Sequence, residues 1–104
     1  MIVQLYDQSV CGEIEQFQVN IRARIFKSID LLTIFGNLLG MPHSKALGDG
    51  LYELRIHGEQ NIRIVYCFYR QRAVLLHCFA KKSQKTPRAD LHCARQRRKI
   101  LTQI

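Results

Sequence analysis

Apolar positions crowd into three short runs in the second half of the chain, at residues 51–57, 61–69 and 73–79. Each is rich in Val, Ile, Leu, Tyr and Phe and has the length of a strand. The links between them are short and polar, Gly58-Glu59-Gln60 and Arg70-Gln71-Arg72. Such links join antiparallel neighbours, because a parallel pair needs a long crossover. The pattern predicts a three-stranded antiparallel meander. Side chains alternate between faces along a strand. Tyr52, Leu54 and Ile56 therefore share a face, as do Ile62, Ile64, Tyr66 and Phe68, and this is the core face. The opposite face holds Glu53, Arg55 and His57 on the first strand and Asn61, Arg63, Val65, Cys67 and Tyr69 on the second. The third run is apolar on both faces, so the pattern leaves the direction of His77 open.

Upstream, residues 2–6 (IVQLY) read as a strand at the edge of the meander or next to it. In residues 10–39, Ile14, Phe17, Ile21, Ile25, Ile29, Leu32 and Phe35 step by three or four, which is a helical stripe. Asp7 and Ser9 are candidate N-caps. Gly36, Gly40 and Pro42 end the stretch. Asn20 is its weak point, so it is one bent helix or a helical hairpin. Residues 43–50 (HSKALGDG) read as a turn-rich connection. Pro87 opens a last helix, with Ala89, Leu91, Ala94, Ile100 and Leu101 inside and Arg88, Arg95, Arg97, Arg98 and Lys99 outside. The expected architecture is a single α+β domain over residues 1–104: strand, helical hairpin, meander, C-terminal helix.

Charge changes this picture. Residues 1–50 carry four basic and five acidic side chains; residues 51–104 carry twelve and three. The excess of +8 therefore lies in the meander half, which is the electrostatic footprint of a polyanion ligand. An acidic protein partner is the alternative. No apolar run approaches the roughly 18 residues of a membrane span. The N-terminus lacks a charged region and a cleavage site, so the expected location is cytoplasmic and no membrane partner is expected. Cys11, Cys67, Cys78 and Cys93 form no C-x-x-C pair and read as thiols in a reducing compartment. There is no phosphate-binding glycine loop, no H-E-x-x-H and no paired carboxylates of the kind that hold metals. No cofactor and no metal are expected.

What remains is a group of cations: Arg55 and Arg63 on the sheet, Lys81, Lys82 and Lys85 at its exit, and Lys45 just before it. Arginine forks suit phosphate oxygens. Cations stabilise the charge that builds on a phosphorane. RNA carries its own nucleophile, the 2′-hydroxyl, so an RNase of this kind needs a proton acceptor, cations and a donor for the leaving oxygen. A lysine crowded by cations has a lowered pKa and can serve as base. His77 is a second candidate. Tyr69 could stack a base.

Three blocks, L-G-D-G-L-Y-E-L-R at 47–55, I-R-I-V-Y at 62–66 and L-L-H-C-F-A-K-K-S-Q-K-T-P at 75–87, resemble the RelE/ParE superfamily of type II toxins. The resemblance is to the HigB-like, phage-derived branch and spans essentially the whole chain. It implies a RelE-like α+β fold and a toxin that cleaves mRNA in the A site of the 70S ribosome, through the 2′-hydroxyl and without metal. It also implies a cognate antitoxin with a helix-turn-helix DNA-binding domain. Carried over by position, Arg63, Arg55, Lys82 and Lys81 are the catalytic candidates. Lys85, Lys45, His77, Tyr69 and Arg88 are candidates for RNA contact. The chain departs from the RelE pattern at Glu53, where a lysine is expected, and at Arg88, near the expected tyrosine. A gyrase inhibitor of the ParE kind and an inactive remnant that binds only antitoxin are the alternative readings.

Overall fold

The computed structural model describes residues 1–103. A five-stranded sheet is covered on both faces by helices. The chain runs β1 (Ile2–Leu5), α1 (Gln8–Glu15), α2 (Val19–Phe35), a 3-10 turn (Gly36–Leu38), β2 (Ser44–Gly48), β3 (Leu51–Ile56), β4 (Ile62–Tyr69), β5 (Arg72–Ala80) and α3 (Arg88–Leu101). The strand order is β1-β5-β4-β3-β2. β1 is parallel to β5, and every other pairing is antiparallel. This is the α+β architecture expected from the sequence.

Asp7 caps α1 by accepting from the Ser9 amide at 2.9 Å. The expected helical hairpin is present as two helices, broken at Gln16-Phe17-Gln18 rather than at Asn20. Gly36, at φ 55°, ends α2, a conformation in which a β-carbon is disfavoured. The stretch 43–50 is not only a turn: Ser44–Gly48 pairs with β3 and makes the meander four-stranded. Gly48, Asp49 and Gly50 all have positive φ, and this tight reversal is what lets so short a segment fold back. Arg70 and Gln71 also have positive φ, the signature of a two-residue hairpin turn whose twist matches its strands.

Two cores result. Ile14, Ile21, Ile25 and Leu32 of the helical pair pack on Leu54, Ile64, Tyr66 and Leu75. On the other face, Ala94 and Leu91 of α3 cover Leu51, Val65, Cys67, Val74, Leu76 and Phe79. The face that carries Arg55 and Arg63 is thus half core. A bulge explains why β5 resisted a two-face reading. Val65 pairs with His77 and Tyr66 with Leu75, so Leu76 is an extra residue. Parity resets there. Val74, Leu76 and Phe79 line the α3 core, while Ala73, Leu75 and Cys78 line the other. All four cysteines are free thiols. Among the described residues, no helix is long and apolar enough to cross a membrane.

α3 packs over β5 and β4. It leaves uncovered the end of the sheet where β3 finishes, β4 begins and the chain leaves β5. That uncovered end is where the cations gather.

Candidate active site: a basic recess at the open end of the sheet

Arg55, Asn61, Arg63, Lys81, Lys82, Ser83 and Gln84 line a recess of about 410 Å³. Strand pairing assembles it. Arg55 and Arg63 are direct partners across β3 and β4. The Lys81 amide donates to the Asn61 carbonyl at 2.7 Å, which carries the sheet ladder into the lysine pair. Like charges placed opposite each other on a sheet destabilise it, so this arrangement is not explained by fold stability.

Arg63 is 3 % exposed. Its Nη1 donates to the Ile62 carbonyl at 3.0 Å, and its Nε stands 3.4 Å from Glu53 Oε1. That distance is within ion-pair range, but the geometry is not that of a hydrogen bond. Glu53, only 2 % exposed, accepts from the Thr86 hydroxyl at 2.6 Å. Two of the sequence blocks, L-Y-E-L-R and K-T-P, therefore meet in space, and Glu53 is the buried counter-ion that orients Arg63. Sequence reading missed Glu53 and Thr86 as positioning residues. The signal available was a carboxylate in the middle of a basic face. Arg55 Nη1 meets only the Met41 sulfur, at 3.6 Å, and its buried Nε has no hydrogen-bond partner among the described residues.

Burial lowers the pKa of the Arg63 guanidinium; Glu53 opposes the shift and Arg55 adds to it. Burial likewise pushes the Lys81 ammonium below the usual lysine value. Glu53 opposes this too, while Arg63, Arg55 and Lys45 reinforce it. A lysine so placed gives up its proton more readily than a solvated one.

The other candidates lie around the recess or away from it. Lys82 lines it and is exposed. Lys45 sits on β2 opposite Glu53, exposed and outside the lining. Lys85 is exposed on the loop that follows Gln84. Arg88 is the exposed first residue of α3. Tyr69 is at the far end of β4, beneath the Arg70 guanidinium at 5.1 Å, in a separate hollow shared with Gln4, Arg72 and Leu101.

His77 belongs to another cluster. Its Nδ1 is 3.0 Å from Glu13 Oε2 and its Nε2 is 2.6 Å from Asp90 Oδ1. Arg97 Nη1 donates to both Glu13 oxygens, at 3.2 and 3.0 Å, and to the Leu76 carbonyl at 2.8 Å. The Cys78 amide donates to Glu13 Oε1 at 3.0 Å. This knot ties α1, β5 and α3 together. Among the described residues, no group of three or more His, Cys, Asp or Glu is arranged to hold a metal ion.

The family model described as "Phage derived protein Gp49-like (DUF891)" matches residues 12–99, a span that includes every lining residue of the recess. No curated protein matches the chain.

Proposed function

This chain belongs to the phage-derived Gp49-like (DUF891) family, a RelE/toxin-like family, and from that premise we propose that it is the toxin of a toxin–antitoxin pair and cleaves mRNA on the ribosome. The observation that carries the reading is the convergence of Arg55, Arg63, Lys81 and Lys82 on one recess, where the buried Glu53 is held by Arg63 and Thr86.

In this reading Arg63 and Arg55 bind the non-bridging oxygens of the scissile phosphate. Neutral Lys81 takes the 2′-hydroxyl proton as the 2′ oxygen attacks phosphorus. The bond to the 5′ oxygen breaks, and the Lys82 ammonium donates a proton to it. The products are a 2′,3′-cyclic phosphate and a 5′-hydroxyl. Electrostatic stabilisation of the phosphorane does most of the work. Lys45, Lys85 and Arg88 steer RNA toward the recess. His77 takes no part, because both its ring nitrogens face carboxylates. The antitoxin is a helix-turn-helix DNA-binding protein with an acidic segment, which docks on the exposed basic side of α3 and the edge strand β2.

The test is a primer-extension map of a reporter mRNA in a translating bacterial extract, with and without active ribosomes. The variant is Lys82→Ala, because Arg63 is too deeply buried for a clean truncation. Cuts that need both translation and Lys82 support the reading. Cuts without ribosomes would make the protein a free RNase. A folded wild-type protein that makes no cuts would sink the endonuclease assignment and direct attention to gyrase supercoiling.

A further inference from the structure

Arg55 forms part of the wall of two recesses. The second, of about 420 Å³, lies between α2 and the end of β3. α2 contributes Arg24, Lys27, Ser28 and Leu31, four residues spaced to share one helix face. The sheet side adds His43, Arg55 and His57 to the cationic and titratable set, with Ile56 beside them. No carboxylate is among the lining residues described. The first half of the chain is slightly acidic in sequence, yet folding places its Arg24 and Lys27 next to the basic sheet.

The recess is held in shape. Arg24 Nη1 donates to the His57 carbonyl at 2.9 Å and bolts α2 to the end of β3. Gly58 makes room for this: a β-carbon there would collide with the Arg24 guanidinium. Leu31 is half-buried and, backed by the buried Ile56, gives an apolar surface below the cations. Cations above an apolar floor suit a nucleotide, which has a charged phosphate and a flat base.

We infer that this second recess holds the next nucleotide along the strand from the two that flank the scissile phosphate, with its phosphate on Lys27 and Arg24 and its base over Leu31. The inference rests on reading the first recess as an RNA site. Arg55, as the shared wall, contacts the strand where it passes from one recess to the other.

Fluorescence anisotropy with two RNA probes, a dinucleotide and a hexanucleotide, tests the inference. Both carry 2′-O-methyl sugars so that neither can be cut. The variants are Lys27→Gln and Lys82→Gln, both at exposed positions. Lys27→Gln is expected to weaken hexanucleotide binding roughly two- to fivefold, the scale of an exposed charge pair. It should also reduce the slope of log affinity against log salt by about 0.7, the value for one phosphate contact on a single strand. Dinucleotide binding should be unchanged. Lys82→Gln should weaken both probes. Hexanucleotide affinity and slope unchanged in Lys27→Gln, with Lys82→Gln still impaired, would overturn the second recess and leave the first intact. Wild-type protein that bound neither probe would overturn both. Polyglutamate binding that depends on Lys27, with RNA binding indifferent to it, would assign the recess to an acidic protein and overturn the inference as well.

Discussion

Arg63 pairs across the sheet with Phe79, and Val65 with His77, so two polar clusters stand side by side on the α3 face. At His77, Glu13 and Asp90 face the two ring nitrogens, and Arg97 is held by Glu13 and the Leu76 carbonyl. At Arg63, four cations line the recess and the buried Glu53 pairs with Arg63 alone among them. Like charges face each other, and a buried Arg55 nitrogen has no hydrogen-bond partner among the described residues. Buried polar groups are normally satisfied. The saturated cluster is explained by the three elements it joins, whereas the unsaturated one is left without a structural account and fits the binding role proposed for it. The two clusters should therefore respond oppositely to mutation, one in stability and the other in chemistry.

The largest effect is expected at Lys81. Lys81→Met keeps the length of the side chain and removes the amine. Loss of a general base typically slows a reaction about 10²–10⁴-fold, and mRNA cleavage under single turnover should fall by that order. Urea unfolding should move by no more than about 0.5 kcal/mol, as for a surface substitution. Undiminished cleavage would remove Lys81 from the mechanism.

Arg63 sharpens the comparison because it belongs to both worlds. Arg63→Ala leaves Glu53 buried without its counter-ion, a loss of about 3–5 kcal/mol in typical buried pairs. Inactivity of that variant alone would therefore say little. Glu53→Leu combined with Arg63→Ala removes both charges and should recover most of the stability. Cleavage should stay absent in the double variant. Recovery of both stability and cleavage would make Arg63 purely structural.

Glu13→Ala is the mirror experiment. It frees Arg97, one side of His77 and the Cys78 amide together. Glu13 is partly solvated, with 19 % of its side chain exposed, so the loss should fall below the fully buried range, at about 2–3 kcal/mol. Cleavage per folded molecule should be unchanged. A cleavage defect in folded Glu13→Ala protein would join the two clusters into one functional unit.

How much of this was legible in the sequence differs by level. The alternation in 51–69 located β3, β4 and the face that carries Arg55 and Arg63, because period two is enforced by burial there. The β5 bulge was not legible: an extra residue in an all-apolar run leaves no polar mark, so the orientation of His77 had to come from the pairing. β2 was hidden because Ser44–Gly48 is short, mostly exposed and runs into the turn residues Gly48, Asp49 and Gly50. The cations of the recess were visible as charge. Their governor, Glu53, looked like a departure from the family pattern because sequence does not reveal that a carboxylate is buried. Arg24 and Lys27 were invisible as neighbours of the sheet, since the two halves of the chain meet only in the fold.

The smallest expected effect is also the cleanest probe of field against contact. Lys45 stands opposite Glu53 on β2 and lies outside the recess lining, yet its charge helps to hold the Lys81 pKa down. If neutral Lys81 is the base, cleavage rises with pH until Lys81 has lost its proton. Removing a nearby positive charge makes that proton harder to lose. Lys45→Gln should therefore move the acid limb of the pH–rate profile to higher pH and leave the plateau rate nearly unchanged. Single-turnover cleavage on preloaded ribosomes, followed across pH at low and high salt, reads this directly. The shift should shrink as salt rises, because the Debye length falls to about 3 Å at 1 M. A limb that stayed in place at low salt, or moved to lower pH, would mean that the group titrating in the profile is not Lys81.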